Sequence, residues 1–367
     1  MDIGQATREY EAWLRAQLPV VIEEDLEFKH QQMAAAAFPF LRATFYRWAQ
    51  RWAEVCPHLA AAPAVLGVGD LHVENYGTWR DAEGRLVWGI NDFDEATWLP
   101  YTVDLVRLAT SALLATDEHR LTVAVEAGAE AILAGYRSAL VDGGRPLVLA
   151  EHHRELRCLA TGQLRDPERF WAKMQALPSA DVSRYPGDAV TTVVTALPEA
   201  AAITAGAGIR SRRAGLGSLG RPRLVALAEW RGGAVAREVK ALLPSAWDWA
   251  RAGAPDRDPY YREILAKAVR CPDPCAGVAG RWLVRRLAPD CIRIELAEMP
   301  ADRDEALLLR AMGHELANVH LGTPEAAGKI VADLDGRRPG WLAAAAQRMA
   351  ADTVGDWNRW KATWEKR

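Results

Sequence analysis

Apolar side chains recur at the three-to-four-residue spacing of helices over much of the first half of the chain. This spacing predicts helices within residues 5–55 and 103–140. Two short apolar runs lie between them, at residues 64–68 and 86–90, and a turn at 81–84 precedes the second run. We predict that both runs are buried strands, which leaves acidic residues at the strand ends.

The second half of the chain changes between helical and strand-like patterns. Prolines interrupt residues 144–200, where we predict helices joined by loops. Residues 205–220 are rich in Gly, Ser and Arg, and a predicted β-hairpin follows over 223–240, with its turn at 231–233. The later predicted elements are a short helix at 259–270, strands at 282–287 and 291–296, and helices at 302–320 and from 340 onwards.

These patterns predict an α+β protein in three parts. Residues 1–204 would form a mainly helical part, residues 205–300 a β-rich part, and residues 301–367 a helical return that packs on the first part. Half of the 367 residues are hydrophobic, so the chain is long enough to bury a sizeable core.

Charge and cysteine usage argue against several classes of protein. The 45 basic and 48 acidic residues give a net charge of -3, which argues against broad binding to nucleic acids. The opening residues are polar, and no apolar run is long enough to span a membrane. Only Cys291 could join Cys271 and Cys275 at a zinc site, so we do not favour one. We therefore expect a cytoplasmic protein without membrane or nucleic-acid partners.

Residues with the chemistry for phosphoryl transfer follow each of the first two predicted strands. Asp70 and Asn75 lie five residues apart after the first strand, and Asp92 and Asp94 follow the second. In phosphoryl transfer an Asp can accept a hydroxyl proton, while Asn and Asp oxygens bind magnesium. The same residues could form an acidic surface turn, or could build a metal-dependent hydrolase site with His72, so the spacing alone leaves the function open.

Three motifs in this segment resemble those of aminoglycoside and choline phosphotransferases, which belong to the protein-kinase-like superfamily. They are Gly-Asp-Leu-His-x-x-Asn at 69–75, Ile-x-Asp-Phe-x-x-Ala at 90–96 and Asp-Leu at 104–105. Together with residues 33–42, they also resemble an uncharacterised bacterial family of unknown function that is thought to be kinase-like. This second resemblance spans roughly residues 25–325.

The resemblance implies a role for each of these residues. Asp70 would be the catalytic base, Asn75 and Asp92 would bind Mg²⁺, and Asp104 would be a buried carboxylate that supports the catalytic loop. Asp94 could reach a second metal ion. Many kinases carry a His two residues before the catalytic Asp, whereas this chain has Val68 at that position.

A glycine-rich segment in the middle of the chain has the spacing Gly215-x-Gly217-x-x-Gly220. A dinucleotide-binding loop would need a helix directly after the glycines and an acidic residue about twenty positions on. Here a strand-like run follows, and Lys240 stands at that position. A kinase glycine loop is followed by strands, one of which carries a Lys that binds the phosphates of ATP. We therefore predict that these glycines, Ser218 and Lys240 bind ATP.

In a kinase this Lys pairs with a Glu on the next helix. Glu263 lies on the helix predicted at 259–270 and is the expected partner, with Glu238 and Glu295 as alternatives. An ordinary lysine at the end of a strand, beside a flexible surface loop, would have the same local sequence.

The two halves of this predicted site occur in reversed order, since Asp70 precedes Gly215 by about 145 residues. Circular permutation explains the order, because catalytic groups must converge in space and not in sequence. We therefore expect a two-lobed protein-kinase-like fold with circularly permuted lobe order. Such a protein would use ATP and Mg²⁺ to transfer the γ-phosphoryl group to a hydroxyl of an unknown small molecule or protein. A nucleotide-binding regulator without turnover and an AMP transferase are the alternatives.

Overall fold

The structure is a computed structural model that describes residues 1–118, 120–161, 166–199, 208–252, 259–291, 293, 296 and 303–366. The fold is a mixture of helices and several small sheets, as the sequence predicts for an α+β protein. Within these described ranges, no helix is both long enough and apolar enough to cross a membrane.

The helices of the described ranges occur in three groups. Four precede the first strand, five lie between the early strands and the glycine-rich segment, and five come later in the chain. They are α1 (Ile3–Gln17), α2 (Glu23–Ala35), α3 (Ala37–Ala43), α4 (Phe45–Val55), α5 (Tyr101–Asp117), α6 (Val125–Asp142), α7 (Arg154–Thr161), α8 (Pro167–Gln175), α9 (Gly187–Thr195), α10 (Ala246–Ala252), α11 (Tyr261–Lys267), α12 (Glu305–His320), α13 (Ala326–Asp335) and α14 (Trp341–Trp364).

The strands of the described ranges form three antiparallel sheets. These strands are β1 (Ala64–Gly67), β2 (Tyr76–Arg80), β3 (Leu86–Ile90), β4 (Thr97–Pro100), β5 (Leu147–Val148), β6 (Ile209–Ser211), β7 (Arg223–Trp230), β8 (Gly233–Ala241), β9 (Gly277–Ala279) and β10 (Trp282–Leu287). Two small sheets have the orders β1-β4 and β2-β3-β5, and the largest has the order β6-β7-β8-β10-β9.

The predicted hairpin forms the middle of the largest sheet. Arg231 and Gly232 join β7 to β8, and both have positive φ angles, +50° and +83°. Such a two-residue turn matches the right-handed twist of the strands it connects. Its register places Lys240 opposite Arg223 on β7, while Leu283 on β10 lies opposite Lys240 on the other side. Lys240 therefore sits at the end of the central strand.

Two helices from the region 144–200 pack on this sheet. Phe170 and Met174 of α8 are buried in a cluster with side chains of β7, β8 and β10. The neighbouring α9 also contacts these strands, and Asp188 accepts a 2.9 Å hydrogen bond from the indole nitrogen of Trp282. The region predicted as helices joined by loops thus packs on the β-rich part.

Two glycines allow helices α6 and α12 to pack closely. A Cβ added at Gly135 would lie 1.9 Å from the carbonyl oxygen of Arg310, and one added at Gly313 would lie 2.0 Å from that of Ile132. Both distances are far below any real carbon–oxygen contact, so each position requires glycine. The close packing fixes α12, whose last residue His320 is fully buried.

The predicted strand at 291–296 differs from the structure. Within the described ranges, the outer partner of β10 is β9, with Trp282 opposite Ala279. Cys291 lies outside any helix or strand, Arg293 forms a single bridge with Gly77, and residues 292, 294 and 295 lie outside the described residues. A tight turn after Ala279 pairs β9 with β10. This edge of β10 is therefore already occupied when the chain reaches residue 291.

Candidate functional site

The loops after β1 and β3 and the segment between β6 and β7 surround one cavity of about 380 Å³. We call residues 212–222 the glycine loop. Ten of the lysine and arginine side chains line this cavity, against five aspartates and glutamates. The volume lies within the range of small-molecule sites, and the surplus of basic residues favours an anionic ligand.

The loop after β1 is held by a buried carboxylate from α5. Asp104 accepts hydrogen bonds from the backbone nitrogens of Val68 at 2.7 Å and Gly69 at 2.8 Å. Its Oδ2 atom also lies 3.0 Å from Nε2 of His320, which reaches it from α12. Asp104 has no exposed surface, so water cannot replace these contacts. The carboxylate therefore fixes the backbone directly before Asp70.

Asp70 carries its carboxylate into the cavity and binds Arg107 from α5. The Nε atom of Arg107 donates a 2.8 Å hydrogen bond to Asp70 Oδ1, and its Nη2 atom contacts the same oxygen. The buried guanidinium lies 4.9 Å from the ring centres of both Phe45 and Trp48, and it also donates to the backbone oxygen of Leu41. Burial raises the pKa of Asp70 above its ordinary value, and Arg107 opposes this rise.

Asn75 lies in the same loop and faces the cavity with Asp70. Its side-chain nitrogen donates a 2.7 Å hydrogen bond to the backbone oxygen of Asp70. That bond uses the donor end of the amide and leaves the oxygen end as an acceptor. The sequence prediction of an oxygen ligand at this position is therefore compatible with the observed amide orientation.

Lys240 contacts the two aspartates that follow β3. Its ammonium group forms an ion pair with Asp94 Oδ2 and lies 3.6 Å from Asp92 Oδ1. Burial opposes ionisation of Asp92, but Lys240 and Arg285 outweigh it and lower the pKa of Asp92. Burial and the adjacent Asp92 raise the pKa of Asp94. Both aspartates line the cavity, whereas Lys240 lies behind them.

The carboxylates at this end of the cavity fit a magnesium ion. The Oδ1 atom of Asp94 is buried and has no hydrogen-bond partner among the described residues. Proteins hold Mg²⁺ through one or two carboxylates together with water and substrate phosphates. No three His, Cys, Asp and Glu side chains within the described ranges are grouped so as to hold a metal by themselves. Asp92, Asp94 and Asn75 could therefore hold such an ion only together with further ligands.

The glycine loop folds over the loop that carries Asp70. A Cβ added at Gly217 would lie 3.1 Å from Asp70 Oδ2 and 3.2 Å from the backbone oxygen of Arg42. The backbone oxygen of Gly217 in turn accepts a 3.3 Å hydrogen bond from the ammonium group of Lys29. A glycine at this position therefore allows the two sequence-distant loops to touch.

The other predicted residues of the glycine loop have different positions. Gly215 has a φ angle of +73° and lines the cavity, as does Ser218, whose hydroxyl donates to the backbone oxygen of Gly215 at 3.2 Å. The same hydroxyl accepts a 3.0 Å hydrogen bond from Arg223. Gly220, with a φ angle of +90°, packs against Leu26 and does not line the cavity.

The expected pairing of Glu263 with Lys240 is wrong. Glu263 instead forms an ion pair with Lys267, one turn further along α11, at 2.6 Å. This local pair satisfies Glu263 on the outer side of the helix, and Lys240 finds its carboxylates at Asp92 and Asp94. Glu295, one of the alternatives, lies outside the described residues.

The other alternative, Glu238, binds arginines. It lies two residues before Lys240 on β8 and contacts Arg212 at 2.5 Å, Arg285 at 2.6 Å and Arg223 at 2.9 Å. Burial opposes its ionisation, but the three guanidinium groups hold the pKa of Glu238 well below its ordinary value. Arg212 and Arg285 also line the cavity, so Glu238 positions two cations beside the aspartates.

Two cavity residues have contacts that the sequence prediction missed. Lys29 from α2 is buried beneath the glycine loop, over the rings of Tyr10 and Tyr46, and burial lowers its pKa to about 8. Arg221 is buried as well and binds Glu95 at 2.9 Å, directly after the predicted metal-binding segment. Neither the contact of Lys29 with the glycine loop nor that of Arg221 with Glu95 has a local sequence signal, because the partners come from distant parts of the chain.

The fold and the site thus define a mixed α+β protein with a basic, partly enclosed cavity lined by aspartates. A family model described as an uncharacterized protein conserved in bacteria (DUF2252) matches residues 21–181. This match supports the predicted resemblance to an uncharacterised bacterial family over that segment. It includes Asp70, Asn75 and Asp92 and ends before the glycine loop and Lys240. No curated protein and no solved structure matches the chain.

Proposed function

We propose that this protein uses ATP and Mg²⁺ to transfer the γ-phosphoryl group to a hydroxyl. One observation carries the proposal: two segments that are far apart in the sequence meet in one cavity. Gly217 lies against Asp70, and Lys240 lies against Asp92 and Asp94. A chance arrangement of either segment alone would not require the other to be nearby, whereas phosphoryl transfer needs both sets of groups together.

In this proposal each side chain has a defined task. The Oδ2 atom of Asp70 accepts the proton of the acceptor hydroxyl, while Arg107 holds the other carboxylate oxygen in place. The hydroxyl oxygen forms a bond to the γ-phosphorus as the bond to the β-phosphate oxygen breaks, and ADP leaves. Magnesium, when bound, neutralises the phosphate charge. Asp92, Asp94 and Asn75 would hold it, and Lys240 would exchange its contact with Asp94 for a phosphate oxygen.

The proposed architecture is a two-lobed kinase-like fold with reversed lobe order. Support comes from the five-stranded sheet, in which a glycine loop between β6 and β7 precedes a lysine on β8. The catalytic loop follows β1 and is anchored by α5 and α12 of the helical part. We propose that these correspond to the nucleotide-binding and catalytic halves of a kinase.

Nucleotide binding and turnover test the proposal separately. Mg·ATP should raise the melting temperature of the protein by mass action, and Lys240→Ala should reduce that rise. ATP consumption with a panel of hydroxyl-bearing metabolites measures turnover. Asp70→Asn should abolish it while Mg·ATP still binds, whereas Asp142→Asn at the exposed end of α6 should behave like the wild type. Full activity of Asp70→Asn would remove Asp70 as the base, and full activity of Lys240→Ala would favour a metal-dependent hydrolase.

A nucleotide-binding regulator without turnover is the second candidate. It is favoured by the closure of Gly217 onto Asp70, which leaves little room between the loop and the carboxylate. A regulator would bind Mg·ATP without consuming it in the presence of any acceptor. Transfer of AMP instead of phosphate would appear in the product mass, because an adenylyl group is much heavier than a phosphoryl group.

A further inference from the structure

Lys29 on α2 has no task in the proposed reaction, although it lines the cavity and is only 4% exposed. Its ammonium group donates to the backbone oxygen of Gly217 at 3.3 Å and lies over the rings of Tyr10 and Tyr46. Within the ranges that the structure describes, Lys29 forms no ion pair. An ammonium group has three N–H donors, so two of them have no oxygen acceptor among these residues.

The lack of a carboxylate partner distinguishes Lys29 from Arg221, which is likewise buried and lines the same cavity. Arg221 binds Glu95 at 2.9 Å and lies 3.9 Å from Asp94. Burial lowers the pKa of Lys29 to about 8, and the opposing charge of Glu11 does not offset this effect. Lys29 therefore stays charged at neutral pH. A buried charge without a partner is costly, and an anionic ligand would remove that cost.

Lys29 approaches the part of the cavity that contains the proposed base. The residue that accepts its hydrogen bond, Gly217, lies against Asp70, since a Cβ added there would be 3.1 Å from Asp70 Oδ2. The negative charge of Asp70 also opposes the effect of burial on the pKa of Lys29. Lys240, by contrast, contacts the two aspartates that follow β3. The two lysines thus face different groups in the cavity, one the base and the other the proposed metal ligands.

We infer that Lys29 binds the γ-phosphoryl group of ATP beside Asp70 and compensates the charge of this group during its transfer. This inference rests on the proposed phosphotransferase function. In that reaction the γ-phosphorus lies next to the hydroxyl that Asp70 deprotonates, and therefore near the loop residue that Lys29 contacts. The ammonium group can bind phosphoryl oxygens and still donate to Gly217, because it has three donors. A cation held in this position stabilises the charge that the group carries in the transition state.

Two substitutions separate phosphoryl binding from support of the glycine loop. Lys29→Met removes the charge and the hydrogen-bond donor, whereas Lys29→Gln removes the charge and keeps a donor. Both variants should bind AMPPNP, a non-hydrolysable ATP analogue, about ten- to hundredfold more weakly than the wild type, because a charge-assisted hydrogen bond is lost. Both should bind ADP as tightly as the wild type, since ADP has no γ-phosphoryl group. The matched control is Lys267→Met, because Lys267 pairs with Glu263 and does not line the cavity.

Calorimetric titration with Mg·AMPPNP and Mg·ADP measures these affinities. Failure of the wild type to bind Mg·ADP would overturn the proposed function itself. If the wild type binds both nucleotides, an unchanged affinity of the Lys29 variants for Mg·AMPPNP, or an equal loss for both nucleotides, would overturn only the inference about Lys29. A loss of Mg·AMPPNP affinity in Lys29→Met that is absent in Lys29→Gln would also overturn it, because the donor and not the charge would then matter. Unchanged Mg·ADP affinity shows that a variant is folded, so either variant can decide the result if the other does not fold.

Discussion

Replacing Lys240 by Met should destabilise the protein, because it removes the cation between two aspartates. Methionine keeps most of the apolar stem, so the substitution changes charge more than volume. Asp94 would keep Arg221, but the nearest atoms of that pair are 3.9 Å apart. Asp92 and Asp94 would then face each other as carboxylates at the end of the central strand.

The size of the effect follows from the burial of the three side chains. Breaking a buried ion pair by removing one partner costs about 3–5 kcal/mol, because the other charge stays buried. Asp94 is 10% exposed and bears this cost, whereas Asp92 is 33% exposed and is partly solvated. We therefore expect the free energy of unfolding to fall by about 3 kcal/mol, at the lower end of that range. Magnesium should restore part of the loss, because it replaces the missing positive charge.

Urea unfolding followed by circular dichroism, with and without Mg²⁺, measures both effects. Lys329→Met is the matched control, since Lys329 forms an exposed ion pair with Glu325. Exposed pairs contribute about 0–1 kcal/mol, so this variant should unfold almost like the wild type. If Lys240→Met lost no more stability than Lys329→Met, the buried pairing of Lys240 with the aspartates would be refuted.

Three further predictions concern the loop, the base and a buried acid. Gly217→Ala would place a Cβ 3.1 Å from Asp70 Oδ2, so turnover should fall by about ten- to hundredfold. In the control Gly208→Ala the new Cβ meets no atom within 4 Å, so turnover should stay at the wild-type rate. Equal activity of the two variants would contradict the position of the loop. Arg107→Lys should raise the pKa of Asp70, because it weakens the contact that favours the ionised carboxylate. The acid limb of the pH profile for turnover should then move to higher pH. An acid limb at the wild-type pH would exclude this role for Arg107. Burial raises the pKa of Glu315 from 4.5 to about 7. The free energy of unfolding of the wild type should therefore fall by on the order of 2–3 kcal/mol as the pH rises from about 4.5 to 7. Glu315→Gln cannot titrate at this position and should not show that fall. Parallel stability curves in urea unfolding at several pH values would show that Glu315 does not titrate in this way.

The sequence predicts those parts of the site that depend on local patterns. The hairpin that carries Lys240 has an alternating apolar pattern and a Gly-containing turn, and both act within a few residues. Asp70 and Asp92 each follow a short apolar run, which becomes β1 in one case and β3 in the other. Such strand ends are readable because burial and turn formation are encoded in neighbouring residues.

The parts that were missed depend on which face of an element points inwards. Glu263 lies on a helix, as predicted, but on its outer side and not towards Lys240. Its partner there is Lys267, one turn later on the same helix. Arg107 had a usable signal, because it lies three residues after Asp104 and therefore on the same face of α5. Lys29 had none, since its position beneath the glycine loop depends on how α2 packs against a segment nearly two hundred residues away. Periodicity within α2 contains no information about that contact.

The glycine contacts between α6 and α12 limit how the cavity can open. With Gly135 and Gly313 each seated against the opposite backbone, neither helix can slide along the other without a steric clash. This packing holds His320, and with it the carboxylate of Asp104 that His320 contacts. A rearrangement that widens the cavity is therefore easier in the loop above Asp70 than between these two helices.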